Sequence, residues 1–405
     1  MSITLTHVRA AAAAIAGQLV RTPLVRCPAL SQAMDADILM KLENLQASGS
    51  FKARGALNKM LSLSGAEREA GVIAMSAGNH AQGVAWHARR LGIAATIVMP
   101  RGTPFTKIER TEGLGARVVL EGETLTEAGQ RAQELATEHG YAFIHPYDDP
   151  LVIAGQGTVG LEIQEDAPAL DAILVPVGGG GLISGIAVAV KALSPATEIL
   201  GVQCELYPSM KDALEGNPPR CGGQTIAEGI AVKDPGTLTR TIVRRHVAEI
   251  LLAAEPAIER AAQMMIESHK LVAEGAAAAP LAALLADPAR FKGRRVALVV
   301  SGGNMDGRLI ASILLRGLAR AGRIARLRIE IPDAPGMLAR VAKLIGEGDG
   351  NIIEITHQRL FHDVPVKYTE LDAVIETTSV THVREIVEML RRTGFPTRLL
   401  SNTAE

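Results

Sequence analysis

Four stretches of the chain combine residue types that can do chemistry. Ser50-Phe51-Lys52-Ala53-Arg54-Gly55 places a lysine at the opening of a helical pattern, after the polar run Glu43 to Gly49. A lysine amine attacks carbonyl carbon and takes up protons once it is neutral, which near pH 7 requires desolvation or neighbouring positive charge. Taken alone, Lys52 reads as one more solvated surface charge. The second stretch is Gly178-Gly179-Gly180-Gly181-Leu182, between an apolar strand pattern and a helical one. Each glycine costs backbone entropy, so four in a row need a reason. Lacking Cβ atoms, they let several N–H groups turn towards one point, and the following helix adds its positive end. Together these make a phosphate cradle. No Lys-Ser/Thr pair follows and no G-x-G-x-x-G spacing is present, so neither a nucleoside triphosphate nor a dinucleotide is favoured.

Ser76-Ala77-Gly78-Asn79-His80 also ends a strand pattern and opens a helix, so its N–H groups could hold a carboxylate. The competing reading is an ordinary N-cap by Ser76 or Asn79. Ser301-Gly302-Gly303-Asn304 is a weaker signal of the same kind. His80 and His87 have no acid nearby in sequence and read as structural, and Glu274-Gly275-Ala276 after Lys270 reads as a helix terminus.

These loops need elements to position them. The strand patterns Ile38 to Glu43, Gly71 to Met75, Ala94 to Met99, Ala116 to Leu120, Ala172 to Val177, Glu198 to Gln203 and Arg295 to Val300 are mostly continuous apolar runs separated by helical stretches. Such alternation indicates a mainly parallel α/β sheet covered on both faces, with ligands at the carboxyl ends of strands. Within the helix expected over Ala81 to Leu91, Val84, Trp86 and Ala88 are available to a core. Residues 317–326, rich in arginine and glycine, read as a linker. Beyond it, Arg326 to Ile331 alternates as a half-exposed strand, and Met337 to Gly346 puts Leu338, Val341, Leu344 and Ile345 on one face. Asn351 to Leu360, Leu371 to Thr377 and Pro396 to Leu400 read as strands. Val380 to Arg392 reads as a helix with Val383, Ile386, Val387 and Leu390 inward. This order, βαββαβ, fits a ferredoxin-like module.

At 405 residues the chain exceeds what one core usually serves. Lys plus Arg is 42 against Asp plus Glu 43, which gives no electrostatic case for nucleic acid or an anionic membrane, and aromatics at 3% supply few stacking platforms. The apolar run Ala10 to Ala16 is too short to span a bilayer and lacks a cleavage-site context. Cys27, Cys204 and Cys221 are scattered without metal-ligand spacing, so no zinc site or disulfide framework is expected. A reducing, cytoplasmic setting suits them.

The Lys52 stretch, Ser76 to His80, the tetraglycine with Leu182, and Ser301 to Asn304 occur together in an order that resembles the fold-type II pyridoxal-phosphate enzymes, in the branch of threonine and serine dehydratases and serine racemases. The resemblance covers about residues 1 to 320, with a smaller subdomain of about 45–150 inserted in the larger. Residues 326–405 resemble an ACT domain, a small amino-acid-sensing unit. What the resemblance implies is a pyridoxal 5'-phosphate enzyme that eliminates the hydroxyl and amine of threonine to give 2-oxobutanoate and ammonia, with serine to pyruvate as a side activity. It would serve isoleucine biosynthesis or threonine catabolism. Serine racemase, a serine-preferring dehydratase, a β-replacement synthase and a non-catalytic amino-acid sensor are the alternatives.

Carried over residue by residue, the resemblance makes Lys52 the Schiff-base lysine and lays Phe51 against the pyridine ring. Asn79 would bond the ring hydroxyl, Gly178, Gly179, Gly180, Gly181 and Leu182 would hold the phosphate, and Ser301 would face the ring nitrogen. Ser76, Ala77, Gly78, Asn79 and His80 would receive the substrate carboxylate. Racemases of the family carry a serine base where Ala77 stands, and an alanine takes no proton. Their divalent site uses an acid where Glu205 stands, but Lys211 follows nearby, so no divalent metal is expected, while a monovalent ion stays open. Asp333, Gly336, Leu338, Asn351 and Ile352 are the candidate effector residues, isoleucine first, and ACT pairing implies a homodimer or homotetramer.

Overall fold

The computed structural model describes residues 3–358 and 365–400, in two compact units, Met1–Met305 and Asp306–Glu405. The strands described in the first unit are β1 (Leu24–Arg26), β2 (Asp37–Leu42), β3 (Val72–Met75), β4 (Ala95–Met99), β5 (Arg117–Leu120), β6 (Ala142–Phe143), β7 (Ala172–Pro176), β8 (Glu198–Cys204), β9 (Glu249–Ala253) and β10 (Arg295–Val300). They form two sheets. The larger has the order β1-β2-β10-β7-β8-β9, parallel except for the edge strand β1. The smaller, β5-β4-β3-β6, is parallel throughout and is inserted between β2 and β7.

The continuous apolar runs are explained by burial on both faces. Every residue of β7 is buried, and Ile173 and Val175 share one cluster with Ile183 and Ile186 of the helix Gly181–Leu193 and with Ile199 of β8. Full burial of such side chains contributes about 1.5–3 kcal/mol each. The smaller sheet has its own cluster around Val72, Ala74, Ile97 and Met99, closed by Ala81, Val84 and Ala88. Trp86 departs from expectation: it is only half-buried, with the Arg90 guanidinium 4.5 Å from its ring, an indole face shielded by a cation rather than by the core.

In the second unit the helix Gly307–Arg320 takes the start of the expected linker and β11 (Ile324–Pro332) takes its end, so only residues 321–323 lie between them. Arginine is a good helix former, and Ile313 and Gly317 are buried, so the helical pattern continues past the point where composition changes. β12 (Asn351–Gln358), β13 (Tyr368–Glu376) and β14 (Thr397–Leu400) complete an antiparallel sheet of order β12-β13-β11-β14, the ferredoxin-like arrangement. Ala325, Leu327, Ile329 and Ile331 alternate inward along β11 and meet Val341, Ile345, Val383, Ile386 and Leu390. Leu338 is the exception, 39% exposed on the first turn of its helix. Arg359 and Leu360, expected in a strand, lie outside the described residues.

All three cysteines are free, and among the described residues no helix is long and apolar enough to cross a membrane.

Candidate active site

β2 delivers the chain to a 3-10 turn, Glu43–Leu45, and then to a loop stitched to the end of β10. Phe51 N–H donates to the Ser301 carbonyl (3.0 Å), Gly303 N–H donates to the Gly49 carbonyl (2.9 Å), and Ser50 pairs with Gly302. Gly49 is required there: its φ is +73°, and a Cβ would lie 2.4 Å from Asn304 Oδ1. Lys52 then opens the helix Lys52–Leu61, and its ammonium donates to the Pro146 carbonyl (2.7 Å). Ser301 is buried at the end of β10, and the Phe51 ring centroid lies 5.2 Å from Lys52 Nζ.

The residue after Pro146 connects the lysine to the glycines. A Cβ on Gly179 would enter the Tyr147 ring at 2.3 Å, and one on Gly181 would sit 3.0 Å from the Tyr147 backbone. Gly180, at φ +94°, has no room beside Met210 and Thr239. Thr239 Oγ1 donates to the Gly179 carbonyl (2.7 Å), while Asp148 accepts from the N–H groups of Thr237 and Thr239 at 3.0 Å each. Among the described residues, no backbone or side-chain acceptor takes the N–H groups of Gly178 to Leu182. Five successive free donors at the start of a helix, on a loop whose Cβ positions are filled by neighbours, fit the phosphate of a pyridoxal cofactor. The run His145-Pro146-Tyr147-Asp148-Asp149 carries no sequence signal of this role, although Pro150 with the Asp149 N-cap marks a helix start there.

In the Ser76 to His80 loop two N–H groups are already used: Ser76 donates to the Val98 carbonyl and Gly78 to Ser76 Oγ (3.1 Å). Ala77, Asn79 and His80 keep free N–H groups at the start of the helix Asn79–Leu91. The His80 ring is buried, with Nε2 against the Ile144 carbonyl (2.8 Å) and Nδ1 left without a hydrogen-bond partner. His87 is wholly buried. Asn79 Nδ2 donates to Glu274 Oε1 (2.7 Å), and Asn79 Oδ1 accepts from Asn304 Nδ2 (2.9 Å). Glu274 does precede a helix, Gly275–Ala286, but its carboxylate lies in the site, which its place in the sequence did not signal.

Arg54, two residues from the lysine, has a role that its sequence neighbours do not announce. It is buried, with a two-pronged contact to Glu43 (2.8 Å on each prong) and bonds to Glu162 (2.6 Å) and Thr158 (3.0 Å). Lys41, also buried, pairs with Glu162 and donates to the Thr22 carbonyl (2.6 Å). Burial alone would raise the Glu43 pKa, but the Arg54 charge and hydrogen bonds hold it below the usual carboxylate range. Breaking such a pair strands a buried charge, so Arg54→Met is expected to cost about 3–5 kcal/mol in urea unfolding. Adding Glu43→Gln should return part of that loss, and simple additivity would contradict the coupling.

Glycine contacts fix the spacing between the lysine and the cradle. The helix Pro150–Asp166 crosses the Lys52 helix where a Cβ on Gly155 would lie 2.7 Å from Gly55 Cα. It crosses the Gly181 helix where a Cβ on Gly185 would lie 2.5 Å from Gly157 N.

Lys52 is only partly open to the cleft, and burial pushes its pKa down to about 8, against a smaller opposing pull from Glu274. Only the neutral amine attacks an aldehyde. Addition of pyridoxal phosphate to the apoprotein should therefore quicken as pH rises and level off above about 8, rather than near the ordinary 10.5, in stopped-flow absorbance.

Two further sets of residues singled out from the sequence lie outside this site. Lys211 turns away to the Ile250 carbonyl (3.3 Å) and Glu215 (3.4 Å), while Glu205 is exposed. In the second unit, Asp333 and Gly336 follow the end of β11, with Leu338 one turn beyond. Asn351 and Ile352 begin β12, in register with Glu376 and Ile375, which pair with Ile324 and Ala325 at the start of β11. The length of β11, roughly 25 Å at about 3.3 Å per residue, separates the two groups within one chain.

The pyridoxal-phosphate dependent enzyme family matches residues 15–302, and the chain belongs to that family. It is 44% identical to an L-threonine ammonia-lyase of Thermotoga maritima over 98% of this chain and 100% of the relative. An L-threonine ammonia-lyase of Geobacter sulfurreducens is 43% identical, over 93% and 94%. Among solved structures, a threonine deaminase from T.th. superposes with a TM-score of 0.70 at 44% identity, over 75% of this chain and 99% of that one. A serine racemase from Dictyostelium discoideum gives 0.71 at 32%, over 76% and 100%.

Proposed function

We propose that this chain is a threonine ammonia-lyase, converting L-threonine to 2-oxobutanoate and ammonia and, as a side activity, L-serine to pyruvate. The observation that carries the chemistry is Lys52, an amine in a cleft with a backbone carbonyl as partner and a pKa brought down to about 8. Bound there, the cofactor supplies an aldehyde carbon for amines and a ring that withdraws electrons from the substrate Cα. The substrate amine releases Lys52, whose neutral amine takes the Cα proton. The free N–H groups of Ala77, Asn79 and His80 hold the carboxylate, and those of Gly178 to Leu182 hold the phosphate. Phe51 lines the ring and Ser301 faces its nitrogen. A neutral serine there holds a proton on that nitrogen poorly, which favours prompt loss of the β-hydroxyl over a long-lived charge at Cα. Ala77 offers no second base, so the proton is not returned from the opposite face. The β-hydroxyl would leave as water with a proton supplied from the cofactor phosphate held by Gly178 to Leu182, and hydrolysis then frees ammonia.

Measuring keto-acid release from threonine and serine beside D-serine formation tests this. Dominant D-serine formation would replace it with the racemase reading, for which the Dictyostelium relative is the precedent.

The second unit serves as an ACT-type amino-acid sensor with isoleucine as first effector, and the enzyme serves isoleucine biosynthesis or threonine catabolism. Because Asp333, Gly336 and Leu338 lie a strand's length from Asn351 and Ile352, an effector site using all five needs two copies, in a homodimer or homotetramer. Titrating activity and melting temperature with isoleucine, valine, serine and AMP tests it; indifference to all four leaves assembly as the role of the unit.

A further inference from the structure

The side chains around Asn79 form a directional chain whose start admits one solution. The Ser48 carbonyl can only accept, so the group facing it at 2.8 Å is the Asn304 amide nitrogen. The other N–H of Asn304 then donates to Asn79 Oδ1 (2.9 Å). With its oxygen turned to Asn304, Asn79 presents its nitrogen to Glu274 Oε1 (2.7 Å) and keeps one N–H without a partner. Two glycines make room for this: a Cβ on Gly302 would lie 2.7 Å from Glu274 Oε1 and 3.1 Å from Asn79 Nδ2, and one on Gly229 would lie 3.3 Å from Glu274 Oε1.

We infer that Glu274 is a positioning residue: with Asn304 it clamps the Asn79 amide from both sides, holding its remaining N–H for the ring hydroxyl oxygen of the cofactor. This rests on the role given to Asn79 above. A free asparagine amide can turn its carbonyl to a negatively charged oxygen, which repels it; the clamp removes that orientation. Glu274 acts through Asn79, and its acceptance of that N–H polarises the amide towards the ligand.

Glu274 also makes the clamp sensitive to pH. Burial raises its pKa to about 7, against the Asn79 hydrogen bond, with Glu228 raising it further and Lys107 and Lys52 lowering it. Lys52 in turn faces His80 and His145, whose own pKa values burial and Lys52 depress. As pH rises through about 7, Glu274 ionises and its bond to Asn79 becomes charge-assisted.

The test uses Glu274→Ala, Glu274→Gln, Asn304→Ala and the Glu274→Ala/Asn304→Ala double variant of the full chain. The readouts are the cofactor dissociation constant, the yellow absorption of the lysine-bound cofactor from pH 5.5 to 9, and the melting temperature. Glu274→Ala is expected to weaken cofactor binding about tenfold and to move the absorption. Glu274→Gln, which still accepts from Asn79, should bind within about twofold of wild type but lose the spectral change near pH 7. The double variant should lose less than the product of its single losses. Wild-type binding and spectra in Glu274→Ala would overturn the proposal, as would additive losses, or a glutamine variant as impaired as the alanine one. If Glu274→Ala does not fold, the glutamine and Asn304→Ala arms decide. A wild type with intact yellow absorption that leaves threonine unconverted rejects the proposed reaction and leaves the clamp standing; a wild type without that absorption rejects both.

Discussion

Lys52→Ala should lower threonine turnover by at least about 1,000-fold, within the roughly 100- to 10,000-fold range for loss of a general base and with covalent attachment lost besides. The yellow absorption should vanish with it, because among the described residues no other amine donates to the Pro146 carbonyl. Stability should move the other way. In the folded chain the Lys52 pKa falls to about 8 from 10.5, mainly through burial, so folding disfavours the charged amine. That penalty is complete below about pH 8 and relieved as pH rises towards 10.5. The apoprotein variant should therefore melt at or above the wild-type temperature at about pH 7. Turnover within about tenfold of wild type, or a variant that fails to fold, would remove Lys52 from its assigned place.

Gly179→Ala should loosen the cofactor while leaving Lys52 intact. Its new Cβ would lie 2.3 Å from the root of the Tyr147 ring, where rotation gives little relief. Overpacking of this kind costs about 1–3 kcal/mol, roughly 5- to 150-fold in a dissociation constant. The effect should appear in cofactor titrations and exceed the change in turnover at saturating cofactor. Tyr147→Ala in the same chain opens the space and should restore part of the affinity. Undiminished binding by Gly179→Ala would mean that the phosphate lies elsewhere.

The sheets and the ferredoxin-like order were legible because apolar runs and helical periods report burial directly, whereas the 45–150 subdomain came only with the family resemblance. The glycines were legible as types out of place, four entropic costs in a row, while Lys52 alone read as a surface charge and gained its meaning only from the loops that accompany it. Glu274, Asn304 and Arg54 were not, because their meaning lies in partners far away in sequence. Asn79 and Glu274 meet across 195 residues, and Arg54 and Glu162 across 108. Leu338 and the expected linker show the opposite limit, where a local pattern was read correctly as amphipathic or arginine-rich but packing chose another face or a longer helix.

The helix Pro150–Asp166 touches its two neighbours backbone to backbone, at Gly155 against Gly55 and at Gly157 against Gly185. Side chains can change rotamer to absorb a shift; bare backbones cannot. That helix therefore acts as a ruler between the amine and the phosphate cradle, setting the span a cofactor must bridge. A side-chain substitution along this helix that spares those glycines would leave that span unchanged, because the distance is set by backbone against backbone.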